Sequence, residues 1–237
     1  MYKMMKKFFV TATAVLAALA VHAQLPEAIL ELPLNTGDFS TIKDESGKCK
    51  VKVEGSAKLS WAEGPDGKAL QFNGDKASPR GSVLVTMPKD FKMSNGFTIR
   101  IVFKTADDHQ RKMRYQLFQY GSGADKVTGV SGFLYWNSLQ CRFGNASKTT
   151  LVTPANVVIK PATWYDCVIT FDGKYLISYL NGKAMTKPMT AVIPEAKRSN
   201  ICIGATSSGG TGYPFKGAIS SVTIYPRALT AEEISNL

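Results

Sequence analysis

The sequence predicts an all-β protein, two antiparallel sheets packed as a sandwich and finished by one short C-terminal helical turn. Three observations carry that expectation. Short runs of β-branched and aromatic residues recur along the chain, each bounded by Gly, Asn, Asp or Pro. The dipeptides Asp172-Gly173 and Asn181-Gly182 stand where hairpin turns would follow such runs. Finally, no helical stretch separates the runs, which argues against alternating βαβ units. The composition agrees with a packed core: of 237 residues, 44% are hydrophobic and 20% charged, unlike collagen, coiled coils or disordered chains.

The elements follow in chain order. Met1 to Lys7 carries Lys3, Lys6 and Lys7 and no acid, and Phe8 to Val21 is an apolar run. Val21-His22-Ala23 then fits the small-x-small rule, so residues 1–23 are expected to be an export signal cleaved between Ala23 and Gln24. The apolar run is shorter than the roughly 20 residues a spanning helix needs. No cysteine stands near the cut to accept a lipid, and no later stretch has the length to span a bilayer. The expected location is secreted or periplasmic. Residues 24–237 are expected to form one domain, since neither a long linker nor an internal repeat divides them.

Strands are expected at Cys49 to Val53, Gly81 to Met87, Phe97 to Lys104 and Arg114 to Tyr120. More follow at Gly132 to Trp136, Leu139 to Phe143, Trp164 to Phe171 and Tyr175 to Leu180. The last two are Asn200 to Ala205 and Ala218 to Tyr225. Thr230 followed by Glu233 has the spacing of a capping box and opens the terminal helical turn. Ten or more short strands without helices point to a sandwich. Trp164, Phe72, Phe171 and Phe215 are expected between the sheets, and Arg227 is expected to tie down the chain end.

Several segments together resemble a known family. Ile29 to Leu34 followed by Asp44-Glu45-Ser46-Gly47-Lys48 is similar to the opening of laminin-G-like, concanavalin A-like domains. Gly67-Lys68-Ala69-Leu70-Gln71-Phe72-Asn73-Gly74 resembles that family's G-k-A-L-x-F-D/N-G segment, and Phe97 to Lys104 its following strand. Trp164 to Gly173 and Tyr179-Leu180-Asn181-Gly182 resemble its hairpin, and Ile203-Gly204 through Phe215 to Thr230 its ending. The resemblance runs over roughly residues 28 to 237. It implies a jelly-roll sandwich, a fold that hosts lectins, glucanases and polysaccharide lyases alike, so function has to be argued from sites.

Catalysis finds little support. The chain has two histidines, and His22 falls in the expected signal, which leaves His109. Multi-His metal sites are thereby excluded, and a His-based triad would rest on one residue in the polar stretch Asp107 to Lys112. Retaining glucanases place two carboxylates about 5 to 5.5 Å apart, which on a sheet favours acids at i and i+2. After Lys126 the acids are Asp166, Asp172, Glu195, Glu232 and Glu233, and Asp166 alone sits inside an expected strand. The E-x-D-x-x-E pattern is absent, as are the Q-I-H and Y-F-K-x-G-x-Y segments of alginate-lyase-like jelly rolls. A non-enzyme is expected.

Binding is the alternative. Sugar sites pair an aromatic platform with amide, hydroxyl and guanidinium groups. The candidates are Tyr135, Trp136 and Asn137 with Arg142, the pair Tyr175 and Tyr179, and Tyr213 at the end of the Ser207 to Gly212 loop. Strand alternation would send Tyr135 and Trp136 to opposite faces. Each of these aromatics has packing as its competing role. The resemblance also raises calcium, which takes six to eight oxygens. Asp44, Asn73 and Asp75 are the candidate donors, although turn chemistry explains the same residues, and Ser220-Ser221 stands where the family commonly has Asp-Glu.

Cys49, Cys141, Cys167 and Cys202 contain no C-x-x-C, and both disulfides and buried thiols fit them. Removing residues 1–23 takes away three lysines and no acid, so the net charge falls from +11 to +8. The lysines are dispersed, and export makes nucleic acid the poorest of the anionic partners. The expected function is non-catalytic binding of a polysaccharide or glycoconjugate, with binding of a cell-surface protein as the alternative.

Overall fold

The structure is a computed structural model that describes residues 24–76, 80–108, 112–122, 128–144, 149–152, 158–193, 200–206 and 213–237. The expected export signal, His22, His109, Glu195 and the 207–212 loop lie outside the described residues.

Sixteen strands are described. They begin with β1 (Leu30–Pro33), β2 (Lys50–Glu54), β3 (Leu59–Gly64), β4 (Gly67–Asn73), β5 (Ser82–Thr86) and β6 (Phe97–Thr105). Next come β7 (Tyr115–Ser122), β8 (Thr128–Tyr135), β9 (Ser138–Gly144), β10 (Thr149–Val152), β11 (Trp164–Phe171) and β12 (Tyr175–Leu180). The series ends with β13 (Lys183–Ala184), β14 (Met189–Thr190), β15 (Asn200–Ile203) and β16 (Lys216–Tyr225), before helix α1 (Ala231–Ser235).

The strands form two antiparallel sheets. A nine-stranded sheet runs β13-β12-β11-β6-β16-β4-β3, with β1 added on β16 and β14 on β12. A seven-stranded sheet runs β10-β9-β8-β7-β15-β5-β2. Period-2 alternation sends one face of each sheet inward. In β6, Phe97, Ile99, Ile101 and Phe103 are all at or below 1% exposure, and their core-facing partners across the sandwich include Val83, Val85, Ile201 and Ile203. Phe215 packs edge-on against Phe72 and Phe103, with ring centroids 6.0 and 6.2 Å away. Each fully buried Phe stabilises the fold by about 2–3 kcal/mol relative to exposure.

Phe72, Phe171 and Phe215 occupy the core as expected. Trp164 does not. In β11 the inward positions are Tyr165, Cys167, Ile169 and Phe171, so Trp164 faces outward, half-buried, with the Lys104 ammonium 5.2 Å from its ring centroid. The Asp172-Gly173 turn joins β11 to β12, and the Asp172 carboxylate accepts from the Lys174 and Tyr175 amides. Asn181 and Gly182, both at positive φ, turn β12 into β13.

The capping box of α1 is also present. Thr230 Oγ1 accepts from the Glu233 amide, and the Glu233 carboxylate accepts from the Thr230 amide. Arg227 donates to both Glu233 oxygens at 2.8 and 2.6 Å, as a chain-end tie would. Ile234 and Leu229 cover a second apolar cluster with Val168, Tyr179 and Tyr225 on the outer side of the nine-stranded sheet.

Candidate functional site

The richest surface is on the outside of the seven-stranded sheet. Strands β8 and β9 are joined by Trp136 and Asn137, both left-handed at φ 55° and 56°. This two-residue turn fixes the register: Tyr135 pairs with Ser138, Phe133 with Gln140 and Ser131 with Arg142. Leu134, Leu139 and Cys141 point into the core, so Tyr135, Phe133, Gln140 and Arg142 share the outer face. Trp136 stands in the turn rather than the strand. The alternation expected to separate Tyr135 from Trp136 ends one residue too early to apply, and the two rings meet edge to face at 5.9 Å.

A β-bulge prepares the other wall. The β7–β8 register shifts between Gln116 and Phe118, so Leu117 and Phe118 both enter the core. Gln116 is fully buried and bridges the irregularity, its Nε2 donating to the Phe118 and Gly132 carbonyls at 2.6 and 3.0 Å. Its Oε1 accepts from Arg114 Nη2 at 3.1 Å, and its amide donates to the Tyr213 carbonyl at 3.0 Å. Gln116 thus meets two pocket residues, Arg114 through its side chain and Tyr213 through its backbone.

The Arg114 guanidinium lies between two rings, 4.0 Å from the Phe133 centroid and 4.6 Å from that of Tyr213. Arg142 approaches the same Phe133 ring at 5.4 Å. Lys112 stands 5.9 Å from the Trp136 centroid. Such contacts are worth about 0.5–2 kcal/mol each, depending on burial. Together with Lys76, Met113, Tyr135 and Gln140, these residues line a cavity of about 550 Å³. Tyr135 is 36% and Trp136 43% exposed at its rim, whereas Phe133 is 1% exposed beneath the guanidiniums.

Of the expected ligand residues, the structure therefore brings together Trp136, Arg142 and Tyr213. It does not bring Tyr175 and Tyr179 to them. Both lie on β12 of the other sheet, where Tyr179 is 6% exposed beneath the α1 cluster and Lys174 covers the Tyr175 ring at 4.8 Å. Burial raises the Tyr179 hydroxyl above its ordinary range. Packing accounts for Tyr179. Arg114, Phe133, Gln140, Lys76 and Lys112 were not expected at a site. Reading Trp136-Asn137 as a two-residue turn would have placed Phe133 and Gln140 opposite each other.

The residues considered for calcium are occupied otherwise. The Asp44 carboxylate accepts from the amides of Glu31, Ser46, Lys48 and Cys49 and from the Ser46 hydroxyl, at 2.7 to 3.0 Å. Burial acts to raise this carboxyl, but the bonds from Glu31, Cys49 and Ser46 outweigh it and hold it low. The Asn73 side chain accepts from the Asp75 amide, and Asp75 pairs with Lys58 at 2.9 Å. Turn chemistry explains all three residues. Among the described residues no group of three or more His, Cys, Asp and Glu is placed to hold a metal. Asp166, the strand acid, accepts from Arg100 Nε and Nη2 at 3.0 and 2.8 Å. The four cysteines are free thiols.

A family model described as the concanavalin A-like lectin/glucanases superfamily matches residues 78–235, well over half the chain. Solved structures with a similar fold include the binding domain of Paraclostridial Mosquitocidal Protein 1, at 18% identity and a TM-score of 0.67, covering 89% of this chain and 51% of that one. The binding domain of Botulinum Neurotoxin DC in complex with SialylT aligns at 17% identity and a TM-score of 0.69, over 89% and 50%. The same domain in complex with rat synaptotagmin II aligns at 17% and 0.68, with the same coverage. The chain spans about half the length of these neighbours, and at such identities they share its fold. No curated protein matches the chain significantly.

Proposed function

This chain belongs to the concanavalin A-like lectin/glucanases superfamily, and from that premise we propose that it is a non-catalytic binding module whose ligand is a glycan. The observation that carries the proposal is the rim of the 550 Å³ pocket, where Trp136 and Tyr135 stand exposed beside Gln140 and Arg142. Apolar sugar faces stack on aromatic rings, and their polar rims take amide and guanidinium donors. The non-catalytic part is supported by Asp166, the one strand acid after Lys126, being engaged by Arg100 in an ion pair. Structural neighbours that are binding domains, one in complex with SialylT, agree with this reading. We further propose that residues 1–23 export the protein and that it acts in the periplasm or outside the cell.

A glycan array probed with the exported, purified chain tests the proposal. Saturable binding that Trp136→Ala reduces at least about tenfold is expected, a loss of about 1.4 kcal/mol. Saturable binding to a surface protein and to no glycan would favour the scaffolding alternative, for which the synaptotagmin complex of one neighbour is the precedent. Release of shorter sugars from a bound polysaccharide would refute the non-catalytic assignment.

A further inference from the structure

A cut between Ala23 and Gln24 makes a glutamine the amino-terminal residue, and that residue stands ahead of the first ties of the chain. Among the described residues the chain is first held at Glu27, whose carboxylate pairs with the Lys48 ammonium at 2.9 Å. The same ammonium donates to the Ala28 carbonyl at 2.8 Å. The Ile29 amide donates to the Ile224 carbonyl at 2.7 Å, beside the start of the β1–β16 pairing. Gln24 and Leu25 precede these ties, belong to no helix or strand and are exposed. Pro26 keeps Leu25 in extended backbone, because its ring clashes with a helical predecessor. The Gln24 side chain is therefore open to solvent on a short extended end.

An amino-terminal glutamine carries a nucleophile and an electrophile in one residue. Its α-amine titrates at about 7.7–8.0, so an appreciable share is the free base at neutral pH, whereas lysine amines are almost wholly protonated there. The α-nitrogen and the side-chain Cδ are spaced to close a five-membered ring. Holding both in one residue replaces a bimolecular encounter by an intramolecular one, which accelerates such reactions strongly. Internal glutamines such as Gln116 and Gln140 have their α-nitrogen in a peptide bond, where it is not a nucleophile.

Resting on the proposed export and cleavage after Ala23, we infer that Gln24 is a modification site, where the new terminus closes to pyroglutamate. The α-nitrogen attacks Cδ and the ring N–Cδ bond forms. The bond from Cδ to the side-chain nitrogen breaks, and that nitrogen leaves as ammonia with a proton given up by the attacking amine. Nothing is oxidised or reduced, and no co-reactant is consumed. The product is a neutral lactam, so the terminal positive charge is lost and an aminopeptidase that needs a free α-amine finds none. The Glu27 ion pair and the β1 pairing persist, since the ring lies ahead of both.

Mass spectrometry of the full chain, expressed with residues 1–23 in place and recovered after export, tests this. Amines are labelled in the intact protein before digestion, so that rings formed during handling are not counted. The intact mass and the tryptic peptide 24–43, in which Gln24 is the one glutamine, then report the terminus. The expected chain starts at residue 24, is lighter by one ammonia than the free glutamine form, and carries no label on its terminus. A peptidase that removes pyroglutamate should expose Leu25 to labelling. Gln24→Ala should be labelled at residue 24, lose that residue to an aminopeptidase that leaves the wild type intact, and melt at the wild-type temperature. A terminus labelled on recovery that becomes blocked, with release of ammonia, on incubation at neutral pH would support the inference as an uncatalysed closure. A chain that starts at Gln24 and stays fully labelled on recovery and after long incubation would overturn the inference and leave export standing. A chain that starts at any other residue would overturn both.

Discussion

Two residues, Asp44 and Gln116, organise what surrounds them by satisfying backbone donors and acceptors that the fold leaves open. Asp44 is 7% exposed and accepts five hydrogen bonds, tying the loop before β2 to the Glu31 amide of β1. An acid in a D-x-S-G sequence reads equally as a metal donor or a turn organiser, and the choice depends on where the amides of Glu31 and Cys49 come to lie. Asp44→Ala strands those amides and should destabilise the protein by about 3 kcal/mol, read by denaturant titration. The lowered carboxyl adds a pH signature. A depressed folded pKa gives stability that is complete above the unfolded value near 3.9 and is lost as pH falls through the folded one. The variant should therefore lose part of the wild-type acid transition below pH 4. Calcium should raise the melting temperature of neither protein, and a rise in the wild type alone would restore the metal reading. Gln116 acts differently, since its side chain holds Arg114 while its backbone amide meets Tyr213. Gln116→Leu releases Arg114 and keeps the backbone bond, so it should weaken glycan binding more than it changes far-UV dichroism.

At the scale of elements, the β8–β9 turn shows how much of the site was legible. Expected and observed strands coincide at β11 and β12, where Asp172-Gly173 and Asn181-Gly182 mark the ends. Trp136-Asn137 carries no glycine, so the β pattern extends to Trp136, and nothing in the sequence signals a bulky residue at positive φ. That one-residue error separated Tyr135 from Trp136 and hid Phe133 and Gln140. The bulge at Leu117 was equally illegible, because an extra residue is visible only against its partner strand. Asn137 holds its left-handed conformation with its Oδ1 buried and without a partner, while its carbonyl accepts from the Ile159 amide at 2.7 Å. Asn137→Gly removes the orphaned oxygen and keeps the backbone bond, so it should stabilise the protein by about 1 kcal/mol with ligand affinity unchanged, as thermal unfolding and calorimetry would show. At the other end of the chain, Arg227 holds the Glu233 carboxyl down to about 2. Its contribution is complete above about pH 4.5 and vanishes as pH falls toward 2. Glu233→Gln should lower stability at pH 7 and match the wild type near pH 2, measured by urea unfolding across that range.

Across the whole molecule, the thiols report on a core shared by both sheets. Cys141 and Cys202 lie on β9 and β15 of the seven-stranded sheet, Cys167 on β11 of the nine-stranded one, and Cys49 just before β2. Sequence patterning left disulfides and buried thiols undecided because both place sulfur in apolar strands, and only the three-dimensional distances separate them. Burial pushes Cys49, Cys141 and Cys202 up to about 12, with the Asp44 charge adding to the effect at Cys49, and raises Cys167 well above its ordinary value. The thiolate is the reactive species, so at pH 8 all four should be inert while the protein is folded. Cys141 and Cys167 belong to the continuous apolar cluster joining the sheets, and exposing them requires the sandwich to open rather than a loop to fray. A thiol reagent absorbing on reaction should thus find essentially no fast-reacting equivalent in native protein and four in denaturant. Labelling in intermediate urea should follow the same transition as tryptophan fluorescence. A fast equivalent in native protein that Cys49→Ser abolishes would show that the β1–β2 loop opens independently. Fewer than four equivalents in denaturant without reductant would show that a pair had been oxidised.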